Sequence, residues 1–148
     1  MTRILPFVLA ALIPVSTLAE EPVSVRAEVM IGTTDAVDLS SFRWAKRPII
    51  VFADSPDDPR FAQQMELLSD DLEALRARDV VVLTDTDPDA RSPARTKLRP
   101  RGFMMVLIGK EGGVKLRKPL PWTVREITRT IDKMPIRQRE VEERRKSG

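Results

Sequence analysis

The chain has 148 residues, with 25 Lys or Arg against 22 Asp or Glu, a formal net charge of +3, and no Cys, His or Tyr. Those absences exclude thiol redox chemistry, Ser-His and Cys-His nucleophilic machinery, and zinc sites built on nitrogen or sulfur. Carboxylates, Lys, Arg, Ser and Thr remain for chemistry, and packing alone remains for stability, since no disulfide can form.

Residues 1–19 read as a signal peptide. Arg3 gives a positive start, Ile4 to Val15 is almost wholly apolar, and Thr17 and Ala19 put small residues where a signal peptidase reads. Glu20, Glu21 and Pro22 then begin a polar segment. The apolar run falls short of the roughly 20 residues needed to span a bilayer, and Pro6 and Pro14 interrupt it. There is no Cys to lipidate and no twin-arginine pair. The expectation is cleavage after Ala19, no transmembrane segment afterwards, and one exported domain of ordinary size in the periplasm or outside the cell.

Residues 20–38 form an N-terminal segment in which Val23 to Val29 alternates like a short exposed strand. Asp38 to Trp44 fits a helical turn carrying Leu39, Phe42 and Trp44 inward. Pro48 to Ala53 is continuously apolar and β-branched, the pattern of a strand covered on both faces. Asp58 stands where an N-cap belongs, with Pro59 at the first helical position. Phe61, Met65, Leu68, Leu72 and Leu75 then make one apolar stripe of a single helix closed by Arg76 and Arg78. Val80 to Leu83 is a second buried strand, so the unit is βαβ with parallel strands.

Ser92-Pro93 opens a short helix through Leu98, and Phe103 to Ile108 is a third apolar strand. Gly109 to Gly113 reads as a hairpin turn, and Val114 to Lys118 returns as an alternating strand at or near an edge. Thr123 and Glu126 form a capping box flanked by Trp122 and Ile127. Val124, Ile127, Ile131 and Met134 supply the apolar stripe, and Pro135 ends the helix. Residues 136–148 are charged, with Glu140–Arg144 and Glu142–Lys146 in the favourable i,i+4 order. They are expected to form a solvated, partly helical tail.

The order β-α-β, hairpin, helix resembles the three-layer thioredoxin-like core, an α/β single domain over residues 39–135. Arg101-Gly102-Phe103-Met104-Met105-Val106-Leu107 is similar to the segment that enters the third core strand of thioredoxins. The block from Arg47 to Pro59, the block from Arg101 to Lys118 and the leader together resemble domain-of-unknown-function family 4174. That resemblance implies a small exported bacterial protein with a thioredoxin-like fold and no established activity. Thioredoxins carry Cys-x-x-Cys where this chain has Asp54-Ser55-Pro56-Asp57-Asp58, and a cis-proline where it has Met104, which is expected to be trans. The resemblance therefore implies a redox-inactive domain.

Three functional readings follow. In the leading one, Asp54, Ser55, Asp57, Asp58 and Met104 form the contact surface of a non-catalytic module that binds a protein or envelope partner. In the second, Asp54, Asp57, Asp85 and Asp87, at the carboxyl ends of two parallel strands, hold Mg²⁺ or Ca²⁺ for a carboxylate-based enzyme; the plainer reading is that they cap helices and turns. The third is a structural or stress-related envelope protein without a small ligand.

Charge is also segregated. Residues 54–89 carry eleven acidic and three basic side chains, and residues 91–118 nine basic and one acidic. Arg95, Lys97, Arg99, Arg101, Lys115, Arg117 and Lys118 could therefore hold an anion such as a phospholipid head group or polyanion, the plainer reading being internal charge complementarity. Nucleic acid is not expected, because five Phe and two Trp are too few for base stacking and sit mostly at core-like positions. Trp44 and Trp122 are read as core. No cofactor is expected, and the chain is expected to be a monomer.

Overall fold

Every residue of the strand Arg47–Phe52 (β2), which holds most of the apolar run, is buried, as a strand between two covering layers requires. The structure is a computed structural model that describes residues 31–35 and 37–148. The leader and the strand expected at 23–29 lie outside the described residues. Strands β1 (Ile31–Thr33), β3 (Val80–Asp85), β4 (Met104–Ile108) and β5 (Val114–Lys118) complete one five-stranded sheet in the order β1-β3-β2-β4-β5. β2 and β3 run parallel, as the βαβ reading requires, and β1 joins β3 in parallel. β4 lies antiparallel to β2 and pairs with β5 through the glycine hairpin. Gly112 supplies that turn with a φ of 91°, a conformation side chains resist.

Alternation along the strands sorts the core into two layers. Ile49, Val51, Val82, Met105 and Leu107 face Leu68, Leu75, Ile127 and Ile131 of the helices α1 (Pro59–Ser69), α2 (Leu72–Arg76) and α4 (Val124–Asp132). Ile50, Phe52, Leu83, Val106 and Ile108 face Leu39 of a 3₁₀ turn (Leu39–Phe42) and Ala94 and Leu98 of α3 (Pro93–Leu98). Each of these large apolar side chains contributes about 1.5–3 kcal/mol on burial.

The helix expected from Pro59 to Arg78 is two helices. Asp71 accepts the Ala74 N–H at 2.9 Å and takes φ −150°, so it starts a new helix instead of continuing the old one. A short carboxylate offers the backbone this alternative wherever it sits within a helical run. Leu72 consequently leaves the apolar stripe and is 37% exposed, while Leu75 stays buried. The capping box of α4 forms as expected: the Thr123 N–H donates to Glu126 at 2.8 Å, and the Glu126 N–H donates to Thr123 Oγ1 at 3.3 Å.

Trp44 is not core. It is 65% exposed with φ 63°, a strained backbone for a bulky residue, and its N–H donates to the Lys110 carbonyl at 2.7 Å. The charged segment past Pro135 is not a free tail either. It forms α5 (Pro135–Ser147) and docks by charge. Glu140 accepts from Lys110 Nζ at 2.8 Å and from Arg47 Nη2 at 3.1 Å, and Arg47 is 1% exposed. Arg137 is buried beside Asp132 and Glu140, each at 3.6 Å. The strand cation Arg47 is thus the packing partner that the segment lacks in one-dimensional view. Among the described residues, no helix is long and apolar enough to cross a membrane.

Candidate functional site

The loop between β2 and α1 opens at the carboxyl end of the parallel strands, where open α/β sheets present ligand sites. Asp58 caps α1 by accepting the Arg60 N–H at 2.9 Å, with Pro59 at the first helical position. Ser55 Oγ accepts the Asp57 N–H at 3.1 Å, which closes the turn before it. Asp54 and Asp57 are exposed, Ser55 and Asp58 half-buried. Met104 pairs with Phe52 across the β2–β4 ladder and lies at the same end of the sheet. It is half-buried, and the described residues contain no cis peptide bond. Lys118 pairs with Met105 one position away, so Pro119-Leu120-Pro121 emerges at this end too, with Leu120 61% exposed.

Beneath the loop lies a polar anchor that sequence reasoning missed. Asp85, at the end of β3 opposite Phe52, is 5% exposed. Its carboxylate accepts from Thr34 Oγ1 at 2.8 Å, Ser92 Oγ at 2.5 Å, and Arg95 Nε and Nη2 at 3.0 and 2.8 Å. Arg95 Nη2 also donates to the carbonyls of Ala53 at 2.9 Å and Asp85 at 3.1 Å, and the guanidinium lies 5.4 Å from the Phe52 ring centroid. One cation thereby ties together the ends of β2 and β3 and the start of α3. Burial alone would raise the Asp85 carboxyl, but the hydrogen bonds from Arg95, Ser92 and Thr34 outweigh it and hold the group below its ordinary value.

This geometry weighs against the metal reading. The two acidic loops do lie side by side, but Asp85 faces inward and its oxygens are committed to four donors. Asp87 accepts the Asp89 N–H at 3.1 Å as the cap of a short turn. Asp54 stands 3.8 Å from Arg95 Nη1, and Asp57 points to solvent. Among the described residues, no three acidic side chains gather in a way that could hold an ion.

The seven expected anion-binding cations also divide. Arg95 is 11% exposed and spent on Asp85, so it leaves the set. Lys115 pairs with Glu111, Lys118 lies 4.5 Å over the Trp122 ring, and Arg117 donates to the Leu98 carbonyl at 2.6 Å. That last bond sets β5 beside the end of α3, where Lys97, Arg99 and Arg101 are exposed.

A second hidden contact closes the other flank. Gln64 is fully buried; its Nε2 donates to the Trp122 carbonyl at 2.8 Å and its Oε1 accepts the Trp122 N–H at 2.9 Å. Gln64 lies three residues after Phe61, on the apolar stripe of α1, and a polar side chain at such a position is the signal that could have found it.

Comparison with known proteins agrees with this fold. The reduced 2-Cys peroxiredoxin of Plasmodium vivax aligns with TM-score 0.55 at 18% identity, over 70% of this chain and 85% of that one. The thioredoxin peroxidase I of Plasmodium yoelii aligns with TM-score 0.50 at 20% identity, over 65% of this chain and 76% of that one. Likeness at this identity shows a shared thioredoxin-like fold. The model of the domain of unknown function DUF4174 matches residues 38–140, and the chain therefore belongs to that family.

Proposed function

We propose that the chain is an exported, redox-inactive, thioredoxin-like binding module of the bacterial cell envelope. Its partner is a protein or another envelope component, contacted through Asp54, Ser55, Asp57, Asp58 and Met104. One observation carries the reading: the β2–α1 loop is fixed from below by Arg95 and Asp85 while its own Asp54 and Asp57 stay in solvent. A loop that is held rigid but presents exposed side chains has the properties of a preorganised contact surface. The relatives named above are a peroxiredoxin and a thioredoxin peroxidase, and the 2-Cys enzyme is named for cysteines this chain lacks. Peroxide or disulfide turnover by a comparable route is therefore closed to the chain acting alone. Export rests on the leader, and the monomeric state on the three cations of β5, which oppose self-pairing of that edge.

The test compares the wild type with an Asp57→Lys, Met104→Lys variant, each immobilised and exposed to periplasmic extract with and without a crosslinker. A partner retained by the first and lost by the second, with melting temperatures within a few degrees, supports the reading. Equal retention by both, or none by either, counts against it.

A further inference from the structure

β5 ends the sheet: it pairs with β4 on one side and with no other strand among the described residues. An open edge presents a row of backbone donors and acceptors and is a template for a further strand. The sequence of this edge, Val114-Lys115-Leu116-Arg117-Lys118, decides what can add to it. Antiparallel pairing of two copies centred on Leu116 places Lys115 directly opposite Arg117, and centring it on Arg117 instead places Arg117 opposite its own copy. Like charges set opposite one another destabilise a pair, so this edge selects against itself. An acidic strand meets the reverse situation. Lys115 spends its charge on Glu111, whereas among the described residues Arg117 donates to the Leu98 carbonyl and the Met104 sulfur, and Lys118 lies over the Trp122 ring with no carboxylate in ion-pair contact. The exposed Arg99 and Arg101, carried past the end of α3, extend the same positive flank.

We propose that the open edge of β5 takes an acidic, extended segment of a partner protein as an added strand of the sheet. Backbone hydrogen bonds supply the attachment, and the cations of β5 and the α3 end select the charge. This surface differs from the 54–58 face, so the two proposals fail separately. Lysines on an edge also serve simply to repel aggregation, and the experiment must tell the two roles apart.

The probe is a synthetic peptide alternating Glu and Val, added to the purified full chain and followed by amide hydrogen exchange and amide NMR shifts of residues 114–118. Binding with slowed exchange in β5 is expected. The same peptide N-methylated at alternate residues should lose binding, because it cannot complete the ladder, and a Lys-for-Glu peptide should not bind. A Lys118→Glu variant should bind the acidic peptide about threefold more weakly, a favourable cross-strand pair becoming a repulsion. Equal binding of the N-methylated peptide would reduce the surface to unspecific charge attraction and overturn the proposal. So would slow exchange of the β5 amides that face away from β4 before any peptide is added, showing the edge already covered. Failure of the acidic peptide to bind overturns it as well.

Discussion

Replacing Arg95 by Leu tests the anchor beneath the contact loop. The substitution removes two charge-assisted hydrogen bonds to Asp85 and the donor shared by the Ala53 and Asp85 carbonyls. Asp85 is left 5% exposed with only the hydroxyls of Thr34 and Ser92. Breaking one side of a buried ion pair costs about 3–5 kcal/mol, against roughly 0–1 kcal/mol for an exposed pair. For a domain of this size the larger figure corresponds to a fall in melting temperature on the order of 10–20 °C. The sign of the pH dependence is specific. With Arg95 present the Asp85 carboxyl lies below its ordinary value, so its contribution is present above the unfolded carboxylate range and lost as pH falls through the folded value. Without Arg95, burial dominates and the carboxyl rises, so the variant suffers most at neutral pH and recovers as Asp85 protonates. Urea unfolding of wild type, Arg95→Leu, and the Arg95→Leu, Asp85→Asn double variant at pH 7 and pH 4.5 measures this. The double variant should recover more than about 1 kcal/mol at pH 7, since no buried charge is left unpaired. A single-variant loss below about 1 kcal/mol, or one equal at both pH values, would refute the anchor.

Four further outcomes are expected. Gln64→Ala leaves the Trp122 N–H and carbonyl without partners and should cost about 2–4 kcal/mol in urea unfolding, with the Trp122 fluorescence changed. Glu140→Ala should release α5, because the buried Arg47 loses the carboxylate that ion-pairs with it; a drop in helicity by circular dichroism together with a loss of about 3 kcal/mol would show it, and no change would return α5 to the status of a tail. Trp44→Gly should leave stability unchanged or raise it by about 1 kcal/mol, since the side chain is exposed and φ 63° suits glycine; a clear loss would mean the indole packs. Acid should unfold the protein below about pH 4 rather than near neutrality. Burial raises Asp85 and Glu140, but donors from Arg95 and from Lys110 and Arg47 outweigh it; at Asp132 the Arg78 hydrogen bonds lead. All three carboxyls thus sit below their ordinary values, and the stability they contribute is lost as pH falls.

The elements that were legible in sequence are those whose signal is local. The β2 run, the Asp58-Pro59 start of α1, the capping box of α4 and the glycine hairpin each announce themselves within a few residues. Asp71 was local too, but a cap inside an apolar stripe competes with the stripe, and the stripe read as one helix hid it. What stayed hidden depends on partners distant in the chain. Sequence shows the charges of Asp85 and Arg95 but not which charge each faces, so it offers a metal ligand and an anion ligand as readings of them. Their pairing follows only once β2, β3 and α3 end at one place. The same holds for Glu140, whose partner Arg47 lies 93 positions away. That the 54–58 loop and Met104 lie at one end of the sheet is legible in sequence, because the strand order that joins them belongs to the fold.

The most direct test of the contact face places a photo-crosslinking residue at Asp57 and, separately, at Arg139. Both positions are exposed, and they lie at opposite ends of the sheet, Arg139 next to the Glu140 that reaches Arg47. Irradiation of living cells should give one discrete adduct from position 57 and none from position 139. The adduct should disappear when Met104→Lys is added. Adducts equal at both positions, or an adduct only from position 139, would contradict a contact face at the end of β2.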